Sequence, residues 1–203
     1  MVPEEPEAAA VTAREAFVAR IRAAEPSPRP LPEVPLFDAP DDDRLRRFSA
    51  ALGLMGGTCV EAPGLDGVRR WLAERFGPQA VTASAVQGID GNRPLDALTP
   101  PASLQDVEVG VVRARFGVAE TGSVWFSEDE YVVNAIGYLV QHLVVLLDPA
   151  QIVDGLQDVY RRPDFRTADY AVLVTGPSAT ADIEGVMIRG AQGVRSLTVL
   201  WMA

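Results

Sequence analysis

The chain has 203 residues, 48% of them apolar and 23% charged, with a net charge of −10. That is the balance of a soluble globular protein with one sizeable core, and the negative charge disfavours nucleic acid and anionic membrane surfaces as partners. Every basic residue is Arg, so Schiff-base, Walker A and ammonium-base chemistry are excluded, while a single His and a single Cys rule out a structural zinc site and an unaided iron–sulfur cluster.

The N-terminus, MVPEEPEAAA, is acidic and has neither the basic region nor the apolar stretch of a signal peptide. Thr12-Ala-Arg-Glu15 has the form of a capping box and predicts a helix with Val11, Phe17, Val18, Ile21 and Ala24 on one side. Pro26, Pro28, Pro30, Pro32 and Pro35 follow, which favours a stiff, extended arm. Residues 1–40 therefore read as a helix on a Pro-rich tether, and 41–203 as the main domain. Asp41, Asp42 and Asp43 mark a helix start, and Leu45, Phe48 and Leu52 repeat at helical spacing. Residues 58–60 read as a strand, 65–76 as a helix ended by Gly77-Pro78, 80–86 as a strand, and 88–101 as loop.

Residues 107–115 alternate apolar and polar side chains, which predicts a strand with one face covered. After a turn at 117–123, Val124-Trp125-Phe126 resumes as strand. Residues 143–147 form a continuous apolar strand, 149–160 a helix, 170–174 a buried strand and 197–201 a closing strand. Strands separated by helical segments imply an α/β fold, a mostly parallel sheet with helices on both faces. The longest mostly apolar segment, 135–147, carries Gln141 and His142 and is too short to span a bilayer. The lone Cys59 excludes an internal disulfide and reads as a small buried hydrophobe. Together these point to a cytoplasmic protein, with no cofactor and no metal site expected.

Four places carry candidate chemistry. Glu120 has the apolar neighbours Phe116, Val118, Ala119, Val124, Trp125 and Phe126, so its carboxylate must be paired, hydrogen-bonded or raised in pKa. Beside it, Thr121, Gly122 and Ser123 read as a turn. After the strand at 170–174 come Gly176, Ser178 and Thr180, then Asp182 and Glu184. A short helical turn near Thr180 would set both acids at its positive end, and together they suit a ligand offering hydroxyls or a divalent cation. His142 is the one imidazole that titrates near neutrality. Arg113 and Arg115, alternating on one strand, could hold a carboxylate by a bidentate fork or face solvent.

Two of these stretches, FGVAETGS at 116–123 and GPSATADIE at 176–184, resemble the AETG(S/T) and GPSxTADIE elements of the LUD domain, the lactate utilisation protein C group. The resemblance covers roughly 41–201. It implies a fold like that of ribose-phosphate isomerase and the CoA transferases, and a role in oxidising L-lactate to pyruvate beside iron–sulfur redox partner proteins. It carries over at Glu120, Thr121, Gly122, Ser123, Gly176, Pro177, Ser178, Thr180, Asp182 and Glu184. Two departures stand out: Tyr138-Leu-Val-Gln-His142 lacks the family's prolines, and Gly190-Ala-Gln-Gly-Val194 has Gln192 where the family has His.

The first expectation is therefore an accessory subunit of a lactate-oxidising system that binds a small carboxylic acid such as lactate, and a homo-oligomer through the N-terminal helix is open to it. Glu120 and Asp182 would act as acid/base or hydroxyl-binding groups, with Thr121, Gly122, Ser123, His142, Gly176, Ser178, Thr180 and Glu184 as contacts. The rivals are a CoA-transferase-like enzyme using Glu120 as nucleophile and a non-catalytic module that senses a small acid.

Overall fold

A computed structural model of the chain describes residues 7–27, 29, 30, 33, 43–182 and 184–202. It divides into two compact units, Met1–Pro35 and Leu36–Ala203. The first contains α1 (Glu7–Ala23), with Arg20 and Arg22 in its last turn, where cations favour a helix end. The helix begins before Thr12, so Thr12 lies inside it instead of opening it. Phe17 and Ile21 are exposed. Pro28, Pro32, Pro35, Asp41 and Asp42 lie outside the described residues.

The second unit opens with α2 (Arg44–Leu54), whose N-cap Asp43 accepts hydrogen bonds from the backbone N–H groups of Leu45 at 2.9 Å and Arg46 at 3.3 Å. Next come β1 (Thr58–Glu61), α3 (Gly64–Phe76), β2 (Thr82–Ser84), β3 (Val109–Arg113), β4 (Phe116–Val118), β5 (Ser123–Ser127), α4 (Glu128–Tyr131) and α5 (Ile136–Leu139). The chain continues through β6 (His142–Leu147), β7 (Ile152–Val153), α6 (Leu156–Arg161), α7 (Asp164–Thr167), β8 (Ala171–Val174), β9 (Ala179–Thr180), β10 (Ile188–Arg189) and β11 (Ser196–Trp201). No helix among the described residues is long and apolar enough to cross a membrane.

The central sheet is wholly parallel, in the order β1-β11-β6-β3-β2. Its middle strands are buried on both faces and divide their side chains between two cores. Val112, Leu143, Val145, Leu147, Leu197 and Val199 pack on one side with Phe48 and Leu52 of α2. Val109, Val111, Val144, Leu146 and Leu200 pack on the other with Val68 of α3. Burial on both faces is why β6 reads as an unbroken apolar run. It also corrects the expectation for β3: Val109 to Val112 are all buried and only Arg113 is exposed, because β2 and β6 flank the strand and both faces are covered.

Three local expectations give way to tertiary pairing. The helix expected at 149–160 is instead a 3-10 turn, Pro149–Gln151, then β7, then α6. Asp148 tightens that turn by accepting from Ala150 N at 2.9 Å, and Ile152 and Val153 pair with Gly117 and Val118 of β4. The strand expected to be buried at 170–174 lies at the edge of a second, four-stranded sheet ordered β7-β4-β5-β8. There it runs antiparallel to β5 and stays partly exposed, since an edge strand has a neighbour on one side only. Finally, no helix starts near Thr180: β9 pairs with β10 as an antiparallel hairpin, so Asp182 and Glu184 have no helix end to serve.

Candidate functional site

Both recognised loops are seated on the C-terminal part of α2. Gly122 has φ of 69°, and a Cβ there would stand 2.2 Å from Leu52 N. Gly176 also has φ of 69°, and its Cβ would meet Met55 O at 2.7 Å. A side chain fits at neither place, which accounts for glycine in both motifs without chemistry. The loops are also joined by hydroxyls: Thr121 Oγ1 lies 2.7 Å from Ser123 Oγ, which lies 2.5 Å from Thr175 Oγ1 at the end of β8.

Glu120 leaves this group. It is exposed, its Oε2 accepts the Leu156 backbone N–H at 2.9 Å, and its own N–H donates to Asp154 O at 3.0 Å. Leu156 is the first residue of α6, so the carboxylate caps an otherwise unpaired donor at the favourable end of that helix. The apolar neighbours that suggested a buried acid turn into the core, while the turn carries Glu120 outward.

Ser178 is held from several directions. Its N–H donates to Val194 O at 2.9 Å, its carbonyl accepts from Gly190 N at 2.7 Å, and its Oγ donates to Gln192 O at 2.5 Å. The Gly190–Val194 segment and the Gly176–Ser178 turn are thereby locked together. Thr180 Oγ1 donates to Asp182 Oδ2 at 2.8 Å, both residues at the surface. Glu184 is exposed and sits in the left-handed region, with φ of 54°.

These residues line two cavities that share Ser178 and Gln192. One, of about 450 Å³, is walled by β8 and Thr175, the Gly176–Ser178 turn, Gly137 and Tyr138, Gln192 to Val194, and Leu143 and Leu197. The other, of about 360 Å³, takes in Thr180, Asp182 and Ile188. The structure thus brings together Gly176, Ser178, Thr180 and Asp182, and adds Gln192, Tyr138 and Thr175. Glu120, Thr121, Gly122, Ser123, His142 and Glu184 lie on neither wall, so Glu120 and Asp182 meet in neither cavity. Among the described residues, the walls of the larger cavity carry no charged side chain.

The cavity opens where β6 and β11 begin, with Leu143 and Leu197 in its wall. The Gly176–Ser178 turn follows the carboxyl end of β8 in the second sheet, whereas the central strands β6 and β11 meet the cavity near their amino ends. Tyr138 and Thr175 gave no signal of their own in the sequence; Gln192 did, as a departure from the family pattern.

The cavity wall adjoins further phenols through Tyr138 and Gly137. The hydroxyls of Tyr138 and Tyr170 are hydrogen-bonded to each other. Tyr131 is fully buried and stacks on Phe126, and a Cβ on Gly137 would come within 2.7 Å of its hydroxyl, which has no partner among the described residues. Burial pushes the pKa values of Tyr131 and Tyr170 well above the usual phenol range, so both stay protonated.

His142 opens β6 with its Nδ1 2.8 Å from Ser196 Oγ and its ring 5.2 Å from that of Phe76. Burial lowers its pKa; Glu108 opposes that, and Arg75 and Arg195 reinforce it. Among the described residues, no group of three or more His, Cys, Asp or Glu side chains is placed to hold a metal ion.

The parallel five-stranded sheet with helices on both faces defines an α/β protein, and comparison with known proteins narrows this. The LUD domain model matches residues 102–202, and over that stretch the chain belongs to the LUD domain family. A crystal structure of a DUF162 family protein from Deinococcus radiodurans superposes with a TM-score of 0.55 over 79% of this chain and 96% of that one. At 12% identity, this likeness speaks to the fold alone. No curated protein matches the sequence.

Proposed function

We propose that the chain is an accessory subunit of an L-lactate utilisation system, working beside partner proteins that carry iron–sulfur clusters, and that the Ser178 cavity is its ligand site. The observation that carries this reading is that the Gly176-Pro177-Ser178 turn, part of the stretch that resembles the LUD family, forms a wall of the 450 Å³ cavity. Its polar lining residues are Ser178, Thr175, Tyr138 and Gln192, set among apolar ones. A carboxylate there would be desolvated with no cation in the described walls to pair with it, which is unfavourable. The cavity therefore suits a mainly apolar ligand presenting a hydroxyl or carbonyl.

Gln192 stands where the family has His. An amide can hold a hydroxyl but cannot exchange a proton near neutral pH, which supports a binding or positioning role over proton transfer. Glu120 lies off the cavity with one carboxylate oxygen on Leu156 N, and nothing in its surroundings favours acyl transfer through it. A hydroxylamine-sensitive acyl adduct on Glu120 after incubation with an acyl-CoA would reinstate that chemistry.

The reading is tested by co-purification with Cys-rich redox proteins and by lactate oxidation in the reconstituted assembly. Omitting the chain, or blocking the cavity with Ser178→Leu, should lower the rate of lactate-dependent electron transfer. An unchanged rate without the chain would end the proposal. Ligand-dependent thermal stabilisation with no effect on lactate oxidation would favour the sensing module.

A further inference from the structure

A second opening lies at the other end of the central sheet. There β2, β3 and β6 present their carboxyl ends, and the chain crosses through Ala114 from the first sheet into β4 of the second. Crevices outside the carboxyl ends of parallel strands are where open α/β sheets receive ligands. This one is a cleft of about 490 Å³.

Its two arginines are in opposite situations. Arg115 is fully engaged, with Glu130 at 2.7 Å, Asp164 at 3.1 Å and Asp129 at 3.2 Å, and its guanidinium lies 5.0 Å from the centroid of the Trp125 ring. Arg113, at the end of β3, is exposed and has no hydrogen-bond or ion-pair partner among the described residues. The acids Asp129 and Glu130 are already committed to Arg115. Asp148 spends Oδ1 on the Ala150 N–H at 2.9 Å, and its other oxygen has no partner among the described residues. Gln87 and Gln151 add side-chain amides to the walls.

We propose that this cleft binds a small monocarboxylate whose second polar group is a hydrogen-bond donor. The Arg113 fork takes the carboxylate in bidentate fashion, and the free oxygen of Asp148 accepts from a hydroxyl or an ammonium group on the same ligand. The neighbouring acids work against a doubly charged anion such as phosphate. The site is separate from the Ser178 cavity, which has no cation; the lactate reading contributes the choice of one probe and nothing else.

The experiment is calorimetric titration of the full chain with L-lactate, L-alanine, propionate and inorganic phosphate. L-lactate or L-alanine should bind, the stronger of the two telling a hydroxy acid from an amino acid. Propionate, without the donor, should bind about tenfold more weakly, as expected for losing one hydrogen bond to a charged group, and phosphate should not compete.

Arg113→Gln should weaken binding about tenfold or more, and Arg113→Lys should not restore it, because an ammonium cannot form the fork. Asp148→Asn should penalise L-alanine more than L-lactate. Gln151→Leu, on another wall, is an independent variant should Arg113→Gln prove unstable, and it should weaken binding too. Leu98→Ala, at an exposed position away from the cleft, should leave these affinities unchanged; the cavity reading is judged by lactate oxidation and this one by carboxylate binding, so their failures can be told apart. No binding of any carboxylate, phosphate as the preferred ligand, or wild-type affinity in Arg113→Gln would overturn the proposal.

Discussion

Gly122 and Gly53 lie at the same helix and make opposite predictions. At Gly122 the left-handed backbone and the approach to Leu52 N leave no space for a methyl group. Gly122→Ala should cost about 1–3 kcal/mol from backbone strain alone, read as a shift of the urea midpoint. Gly53, inside α2, would present its Cβ to open space, and Gly53→Ala should stabilise by about 0.5–1 kcal/mol. Glu120 caps the start of α6 by accepting from Leu156 N, so Glu120→Ala should cost about 0.5–2 kcal/mol while leaving L-lactate and L-alanine titrations unchanged.

His142 supplies a pH dependence whose sign follows from its environment. Its pKa is lower when folded than the ordinary 6.5, so the unfolded chain takes up the proton first. The associated stability is present above that value and is lost as pH falls through the folded pKa. Thermal unfolding between about pH 7 and 5 should show a slope that His142→Gln reduces. An identical slope in the variant would assign the acid sensitivity to other groups.

At the level of elements, α2 does more than cover a sheet face. Its Leu52 and Met55 receive the two motif glycines, and Arg44 and Arg47 near its start bind Asp154 beside the Glu120 cap, the former at 2.8 Å. Burial pushes the Asp154 pKa up, but the two arginines outweigh it and hold it below the usual carboxylate range. The second sheet has its own fastening in Arg115, which ties α4 to α7 across the face of Trp125. Its side chain is 29% exposed, so the cost of breaking the network falls between that of an exposed and a fully buried pair. Arg115→Met should destabilise by about 1–3 kcal/mol in chemical unfolding.

Across the molecule, most strands and both long helices of the second unit were readable from composition and periodicity. The apolar runs of β6 and β11 announce burial on two faces, Asp43 announces α2, and Gly77-Pro78 announces the end of α3. Such signals are local: side-chain alternation, turn dihedrals and capping act within a few residues. They also located the Ser178 loop, because glycine, proline and hydroxyls cluster there.

Partner choice between strands is not local, and the same residues left it open. Nothing in Ala171-Val-Leu-Val174 says that it pairs antiparallel with β5 at the edge of a separate sheet, and nothing in Ile152-Val153 says that β4 will draw it out of a helix. The direction of Glu120, the meeting of Ser178 with Gln192, and the contrast between a spent Arg115 and an unpaired Arg113 all depend on those pairings. They are contacts between segments far apart in sequence, and their energy exists only once the chain has closed the loops between them.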